Sequence, residues 1–119
     1  MDTLLSDRQL IEQIFNDYTQ IPYSDSDVIL ETVFDRQQDR YLVMVLGREP
    51  VYVRPYRATR RVHGCLIHVD IIDGKFWIQR DGTEEGVASD LLKAGIPPEP
   101  IVLGFLSEEL RQDSQFAIT

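Results

Sequence analysis

Apolar residues recur at helical spacing in two segments, residues 4–18 and residues 83–94. In the first segment Leu4, Ile11 and Tyr18 lie seven residues apart, so they share one face of an α-helix. In the second segment a similar stripe ends just before a glycine and a Pro-Pro pair, which together stop a helix. The pattern predicts two amphipathic helices.

Four further segments are rich in β-branched and aromatic residues, which favours strands. They are residues 28–34, 40–46, 62–72 and 75–80. Short polar connections join the first to the second and the third to the fourth, so each two form an antiparallel hairpin, and Asp73-Gly74 is a strong two-residue turn signal. Residues 101–105 and 116–118 predict short edge strands, and residues 107–115 predict at most one helical turn.

The Asp73-Gly74 turn determines which residues face one another across the second hairpin. A two-residue turn pairs Ile72 with Lys75 and, continuing away from the turn, His68 with Gln79. Side-chain alternation then divides the hairpin into two faces. One face is predicted to join the core and consists of Cys65, Ile67, Val69, Ile71, Phe76 and Ile78. The other face carries Leu66, His68, Asp70, Trp77 and Gln79.

Residues 41–46 are apolar at both alternating positions, which is typical of a strand buried on two sides. Two helices of the predicted length cover one face of a four-stranded sheet and little more. We therefore expect an α+β fold, an antiparallel sheet of about four main strands plus short edge strands, with two helices packed on one face. A second copy of the chain is the simplest cover for the other face, which predicts a homodimer.

The composition is that of one globular domain, residues 1–119, with 43% apolar and 27% charged residues. A net charge of −8 disfavours a protein whose main work is coating nucleic acid, because phosphate binding needs positive charge. We expect no membrane span, since no apolar segment approaches ~18 residues, and no secretory signal. The single cysteine, Cys65, fits a reducing compartment, so we expect a cytoplasmic protein.

Residues 47–59 contain Pro50 and Pro55, and they predict a loop or an edge strand because proline cannot donate to a strand ladder. Five arginines cluster there and just beyond: Arg48, Arg54, Arg57, Arg60 and Arg61. With one glutamate, residues 48–61 carry +4, whereas the rest of the chain, with seven basic and 19 acidic residues, carries −12. The cluster suits phosphate or an acidic partner. The interpretation we favour is pairing with the chain's own carboxylates, including those of a second copy.

His68 and Asp70 share a strand face, and Trp77 lies opposite Asp70 in the predicted register. A metal site would need a third ligand, and acid–base catalysis would need a nucleophile or a substrate pocket, neither of which the pattern indicates. We interpret the face as an interface for a second copy or a partner protein, formed by Leu66, His68, Asp70, Trp77 and Gln79. We expect no catalytic residue, metal, cofactor or small-molecule substrate.

Residues 61–86 form one long and distinctive run, beginning Arg-Val-His-Gly-Cys and ending Asp-Gly-Thr-Glu-Glu-Gly. It is followed by Ala-Gly-Ile-Pro at residues 94–97 and Ile-Val-Leu-Gly-Phe at residues 101–105. Together these resemble the XisI family, the fdxN element excision controlling factors of cyanobacteria, and the resemblance extends to residues 18–23, 31–35 and 39–42. It implies a role in excising a DNA element during heterocyst differentiation, together with an XisH-type partner, and it implies no catalytic residues.

Two functions of different classes follow. The first is a non-enzymatic accessory factor that controls site-specific excision through contacts with an XisH-type protein. The second is a DNA-contacting architectural factor that uses the basic arm at residues 48–61, and the −12 on the rest of the chain makes it the weaker alternative. An enzyme is the least favoured interpretation.

Overall fold

The first predicted helix is present as α1 (Thr3–Thr19) in a computed structural model that describes residues 3–21, 27–53 and 56–119, with only the backbone for residues 53, 56 and 57. Ile11 and Phe15 are fully buried, and their spacing of four residues places both on the face turned to the sheet. Asp7, one turn earlier, is also buried, and burial raises the pKa of its carboxyl group.

Five strands form one mixed sheet whose spatial order follows the chain. They are β1 (Asp27–Asp35), β2 (Arg40–Val53), β3 (Tyr56–Ile72), β4 (Lys75–Asp81) and β5 (Ile101–Val102). β1 to β4 pair antiparallel, whereas β5 runs parallel to β4. The predicted α+β class is confirmed, and the expected last edge strand is a single bridge between Val102 and Ala117.

The interpretation of residues 47–59 as a loop is wrong, because β2 and β3 continue through this region as one long hairpin. Their pairing runs without a break from Arg48↔Arg61 to Val53↔Tyr56. The alternative of an edge strand is confirmed, because β1 pairs with β2 only as far as Arg48. Pro50 is tolerated because β1 pairs with β2 only as far as Arg48, so no described strand lies beyond Pro50 to receive a hydrogen bond. We call residues 48–53 and 56–61 the arm.

Two β-bulges change the register that alternation predicts. Across the second hairpin the predicted pairs are confirmed from Ile72↔Lys75 to Val69↔Ile78. Beyond that point His68 faces Arg80 instead of Gln79, because Gln79 is an extra residue in β4.

The other bulge lies between β2 and β3, where Val43 faces Ile67 and Met44 faces Cys65, so Leu66 is the extra residue. A bulge reverses the facing of the strand beyond it. Cys65 therefore shares a face with Met44, and its prediction as a core-face residue is wrong.

The second helix, α2 (Val87–Lys93), begins four residues later than predicted. The Asp81 carboxylate explains the difference. One oxygen accepts the Thr83 N–H at 3.0 Å and the Thr83 hydroxyl at 2.6 Å, and the other accepts the Val87 N–H at 2.7 Å. These bonds hold the intervening residues as a loop and satisfy the first helical N–H. Gly95 ends the helix in the left-handed conformation, with φ 98°.

α1 and α2 pack on the same face of the sheet, which confirms the predicted arrangement. The buried residues there form one cluster: Ile11, Phe15, Tyr41, Val43, Ile67, Val69, Ile71, Phe76, Ile78, Val87, Leu91 and Ile101. A single turn, α3 (Glu108–Arg111), follows β5. None of the helices in the described ranges combines the length and the apolar character needed to cross a bilayer.

Candidate functional site

The predicted interface face is organised around Asp70, which is only 8% exposed. Its Oδ1 lies 2.9 Å from His68 Nε2 and accepts a hydrogen bond from Arg40 Nε at 3.3 Å, while its Oδ2 accepts one from Gln79 Nε2 at 3.4 Å. A buried carboxylate is costly unless donors surround it, and these three side chains supply them. The structure therefore brings three of the five predicted residues, His68, Asp70 and Gln79, into one hydrogen-bonded cluster and adds Arg40.

Strand pairing explains this cluster. Arg40 and Asp70 face each other across β2 and β3, and Asp70 and Trp77 face each other across β3 and β4. His68 lies two residues from Asp70 on the same face, and the bulge at Gln79 directs that amide toward Asp70 instead of His68. The sequence does not predict a role for Arg40, because Pro50 and Pro55 argue against the long hairpin that pairs β2 with β3.

Trp77 lies in this face but is partly covered by its own chain. The guanidinium carbon of Arg111 lies 5.4 Å from the centre of the indole ring. Gly104 passes so close that a Cβ there would lie 3.2 Å from Trp77 Cε3. The Arg111 Nε is buried without a hydrogen-bond partner, and the guanidinium is instead stabilised by the aromatic ring and by the bond from Nη1 to the Leu106 carbonyl. The segment that follows β5 thus covers part of Trp77, a contact that no local sequence signal indicates.

Leu66 does not lie with the other predicted interface residues. As the extra residue of a bulge it turns toward the helices, and it packs against the core cluster. It lines a groove of about 770 Å³ between α1 and α2, together with Ile14 and Leu30. The prediction that Leu66 shares a face with Trp77 is wrong, because the bulge reverses the alternation on which it rested.

We call the sheet face opposite the helices the far face. Ile29 and Val33 of β1 lie on it and are 57% and 49% exposed. Leu42, Met44 and Leu46 of β2 alternate with the buried core residues of that strand, so they also lie on the far face. The apolar second face that the sequence predicts in β2 is therefore present, and it continues onto β1.

The five clustered arginines of residues 48–61 divide into those whose side chains the structure describes and those whose side chains it does not. Arg48 Nε donates to the Thr59 hydroxyl at 2.7 Å, and Arg60 forms an ion pair with Glu49 across the two strands. Arg61 faces Arg48 directly, so two like charges meet at the base of the arm. The side chains of Arg54 and Arg57 lie outside the described part.

Within the described ranges, no cluster of three His, Cys, Asp or Glu side chains could hold a metal ion. Cys65 is half-buried, and burial raises the pKa of its thiol. Its Sγ contacts the Ile67 carbonyl oxygen at 3.2 Å. What the face offers is a tryptophan, exposed aliphatic side chains and a charged cluster with fixed geometry.

Comparisons with known proteins agree on one family. The XisI protein family matches residues 1–118. An XisI-like protein from Anabaena variabilis has a solved structure that is 29% identical, with a TM-score of 0.80, over 98% of this chain and 99% of that chain.

A second solved structure, of the fdxN element excision controlling factor XisI from Anabaena variabilis, is also 29% identical. Its TM-score is 0.76, over 99% of this chain and 100% of that chain. No curated protein matches this sequence. Since the family match covers all but the last residue, this chain belongs to the XisI protein family.

Proposed function

We propose that this chain is a non-enzymatic accessory factor that controls site-specific excision of a DNA element of the fdxN type during heterocyst differentiation. It acts in the cytoplasm through protein–protein contacts with an XisH-type partner. The observation that carries the proposal is the family match over residues 1–118, together with a similar structure of a protein described as an excision controlling factor.

The far face supports action through protein contacts. Interfaces gain most of their affinity from a few large side chains in desolvated surroundings, with polar groups that set the geometry around them. Ile29 and Val33 supply exposed apolar area, and Trp77 adjoins the cluster centred on Asp70. Arg40 is bonded to that cluster through a buried carboxylate, and its side chain is 55% exposed, so its guanidinium is accessible to a partner.

We further propose that the chain is a homodimer in which a second copy covers the apolar part of the far face. Val33→Glu places a charge on that part without disturbing the core, because Val33 is 49% exposed. The dimer dissociation constant should rise by at least about tenfold. Gln37→Glu adds the same charge in the exposed turn between β1 and β2 and should leave dissociation unchanged. Equal dissociation of both variants and the original chain would refute this interface.

Excision itself is tested with purified components. A plasmid that carries the element is mixed with its recombinase, the XisH-type protein and this chain, and excised circles are counted against a reaction without this chain. We expect excision to require the chain and the chain to co-elute with the XisH-type protein on a sizing column. Excision at the same rate without it, or separate elution of the two proteins, would overturn the proposal.

One observation favours a second candidate, a DNA-contacting architectural factor. The arm is a two-stranded ribbon, and a ribbon of this width fits the major groove of DNA. Such binding should weaken steeply with salt, and replacing Arg54 and Arg57 by alanine should flatten that dependence. Failure to retard a duplex that contains the border of the element, even at low salt, would exclude this function.

A further inference from the structure

We propose that the arm of one copy of this chain docks into the groove between α1 and α2 of a second copy. This contact is separate from the far face, and it does not depend on the role in excision. It assigns a partner to two features that the proposed accessory role leaves unused, the arm and the groove.

The arm projects from the body of the molecule. β1 pairs with β2 only as far as Arg48, and β4 pairs with β3 only as far as Ile67, so within the described residues both outer edges of the arm are open. At about 3.3 Å per residue the arm is roughly 17–20 Å long. The molecule is accordingly 58 Å in its longest dimension against 32 Å in the next, and its radius of gyration is 16.5 Å, whereas about 13–14 Å is typical for this length.

A projecting ribbon of this kind needs a partner. An isolated two-stranded hairpin is at best marginally stable in water, because it buries little apolar surface. Tyr52, near the tip, is 76% exposed, the highest exposure of any large hydrophobic residue in the described part. Arg48 and Arg61 face each other at the base, and a negative charge from a partner would reduce their mutual repulsion.

The groove has the complementary character. Its floor is apolar and is formed by Ile14, Leu30 and Leu66, which pack against the core cluster, and the exposed Ile21 lies at its edge. Its rim carries the carboxylates of Asp17, Glu84 and Glu85 against the single amine of Lys93, which lies 3.4 Å from Glu85. Asp90 also lines the groove, and its carboxylate accepts a hydrogen bond from the Tyr18 hydroxyl. An apolar floor with an acidic rim suits a segment that combines aromatic or aliphatic side chains with arginines, and residues 48–61 have that composition.

The occupant comes from another copy because the arm cannot fill the groove of its own chain. None of the described arm residues lines that groove, and the continuous pairing from Arg48↔Arg61 to Val53↔Tyr56 extends the arm along the strand direction. Edge-to-edge pairing of two arms is the competing arrangement, and it would bring two segments of charge +4 together. The groove belongs to the rest of the chain, which carries a net charge of −12, so docking there avoids this repulsion.

The test is a mixing experiment with single-cysteine variants of the full chain, all with Cys65→Ala. One carries Tyr52→Cys and the other Glu84→Cys, and both positions are exposed, so neither change should disturb folding. Under mild oxidation we expect a disulfide-linked dimer in the mixture and much less of it in either variant alone. Asp113→Cys, an exposed position on the segment after α3, replaces Glu84→Cys as the matched control and should give no more dimer than Tyr52→Cys alone.

Two outcomes would overturn the proposal. If the mixture yields no more disulfide-linked dimer than either variant alone, the arm does not contact the groove. If Tyr52→Cys alone gives the full yield of dimer, the arm of one copy pairs with the arm of another copy instead. A charge test supplies an independent measurement. Glu84→Lys should weaken self-association by at least about tenfold at low salt, whereas Asp113→Lys, with the same change in charge, should not. Equal effects of the two lysines would also overturn it, and neither result depends on whether the chain acts in excision.

Discussion

The Arg111 guanidinium lies over the Trp77 ring, with 5.4 Å between the guanidinium carbon and the ring centre. The same arginine donates from Nη1 to the Leu106 carbonyl at 3.3 Å. One side chain therefore joins the segment after β5 to the far face of β4. Because Trp77 is the only tryptophan in the chain, its fluorescence reports directly on this contact.

Replacing Arg111 by alanine should release the segment from Trp77. We expect the free energy of unfolding to fall by about 1 kcal/mol, since a cation–π contact at a partly covered site has that size. The emission of Trp77 should shift to longer wavelength because water reaches the ring. Urea unfolding followed by fluorescence measures both effects. Arg36→Ala removes an exposed ion pair with Glu12 and should leave the emission unchanged, so an equal shift in both variants would refute the contact.

Asp70 is the acceptor on which the far-face cluster depends. Asp70→Ala removes the carboxylate that accepts from Arg40 and Gln79 and that contacts His68, and it leaves the half-buried side chains of His68 and Gln79 without this partner. We expect a loss of about 2 kcal/mol in the free energy of unfolding, measured by urea denaturation. Asp113→Ala, at an exposed position, is the control and should change stability little. A loss no larger than that of the control would show that the cluster does not contribute to stability.

The second hairpin shows how far the sequence leads. Asp73-Gly74 fixes the turn, and the pairs from Ile72↔Lys75 to Val69↔Ile78 follow correctly from its geometry. The prediction fails at His68 because a bulge leaves no mark on the pattern of apolar residues. Cys65 and Leu66 are both apolar, so either can face either side, and tertiary packing decides between them.

The arm and the cover over Trp77 escape sequence-based prediction for different reasons. Pro50 would interrupt β2 only if another strand required a hydrogen bond from its nitrogen. Whether such a strand is present depends on how far along β2 the pairing with β1 extends. The contact of Arg111 with Trp77 joins residues far apart in the chain, so no local pattern encodes it. His68 and Asp70 have local signals and are predictable, whereas Arg40 and Arg111 depend on long-range pairing.

Asp39 links α1 to the turn between β1 and β2. The Arg8 guanidinium donates to its carboxylate at 2.7 Å and 3.1 Å and holds the pKa of that carboxyl below its ordinary value. Because this pKa is lower in the folded than in the unfolded protein, the charged carboxylate stabilises the fold at pH values above the pKa of Asp in the unfolded chain, about 3.9. This stabilisation is lost as the pH falls through the pKa of Asp39 in the folded protein. Asp39 has φ 52°, a conformation that asparagine also adopts, so Asp39→Asn removes the charge without adding strain.

Asp39→Asn should therefore be less stable than the original chain at pH 7, and the difference should shrink at pH values below about 4. Thermal unfolding at a series of pH values measures it. A difference that stays constant across this range would show that the charge is not responsible. Asp7, whose carboxyl pKa is shifted in the opposite direction, provides a comparison for this pH dependence.

Asp7 should show the opposite sign. Burial raises the pKa of this carboxyl, so its ionised form costs stability at neutral pH, and the cost disappears as pH falls through the raised value. Asp7→Asn keeps the shape and removes the charge. We expect the variant to be more stable than the original chain at pH 7 and to lose that advantage as the pH approaches 4. A variant of equal or lower stability at pH 7 would show that burial of this charge is compensated in the folded protein.

Gly47 sets the geometry at the base of the arm. Its φ is 147°, and a Cβ built there would lie 2.0 Å from the Asp27 carbonyl oxygen, a distance that no packing adjustment of side chains can relieve. Gly47→Ala must therefore separate β1 from β2 where β1 begins, and we expect it to lower the free energy of unfolding by more than about 2 kcal/mol.

Gly64 supplies the matched control, because it lies in β3, faces Val45, and a Cβ added there would meet no neighbouring atom within 4 Å. Gly64→Ala should change stability by less than about 1 kcal/mol. Hydrogen exchange separates a local from a global effect, since Gly47→Ala should expose the amides that pair Val28 and Leu30 with β2 more than those of the second hairpin. Equal stability of the two alanine variants would mean that the approach of Asp27 to Gly47 does not constrain the strand, and that the arm is oriented by β3 alone.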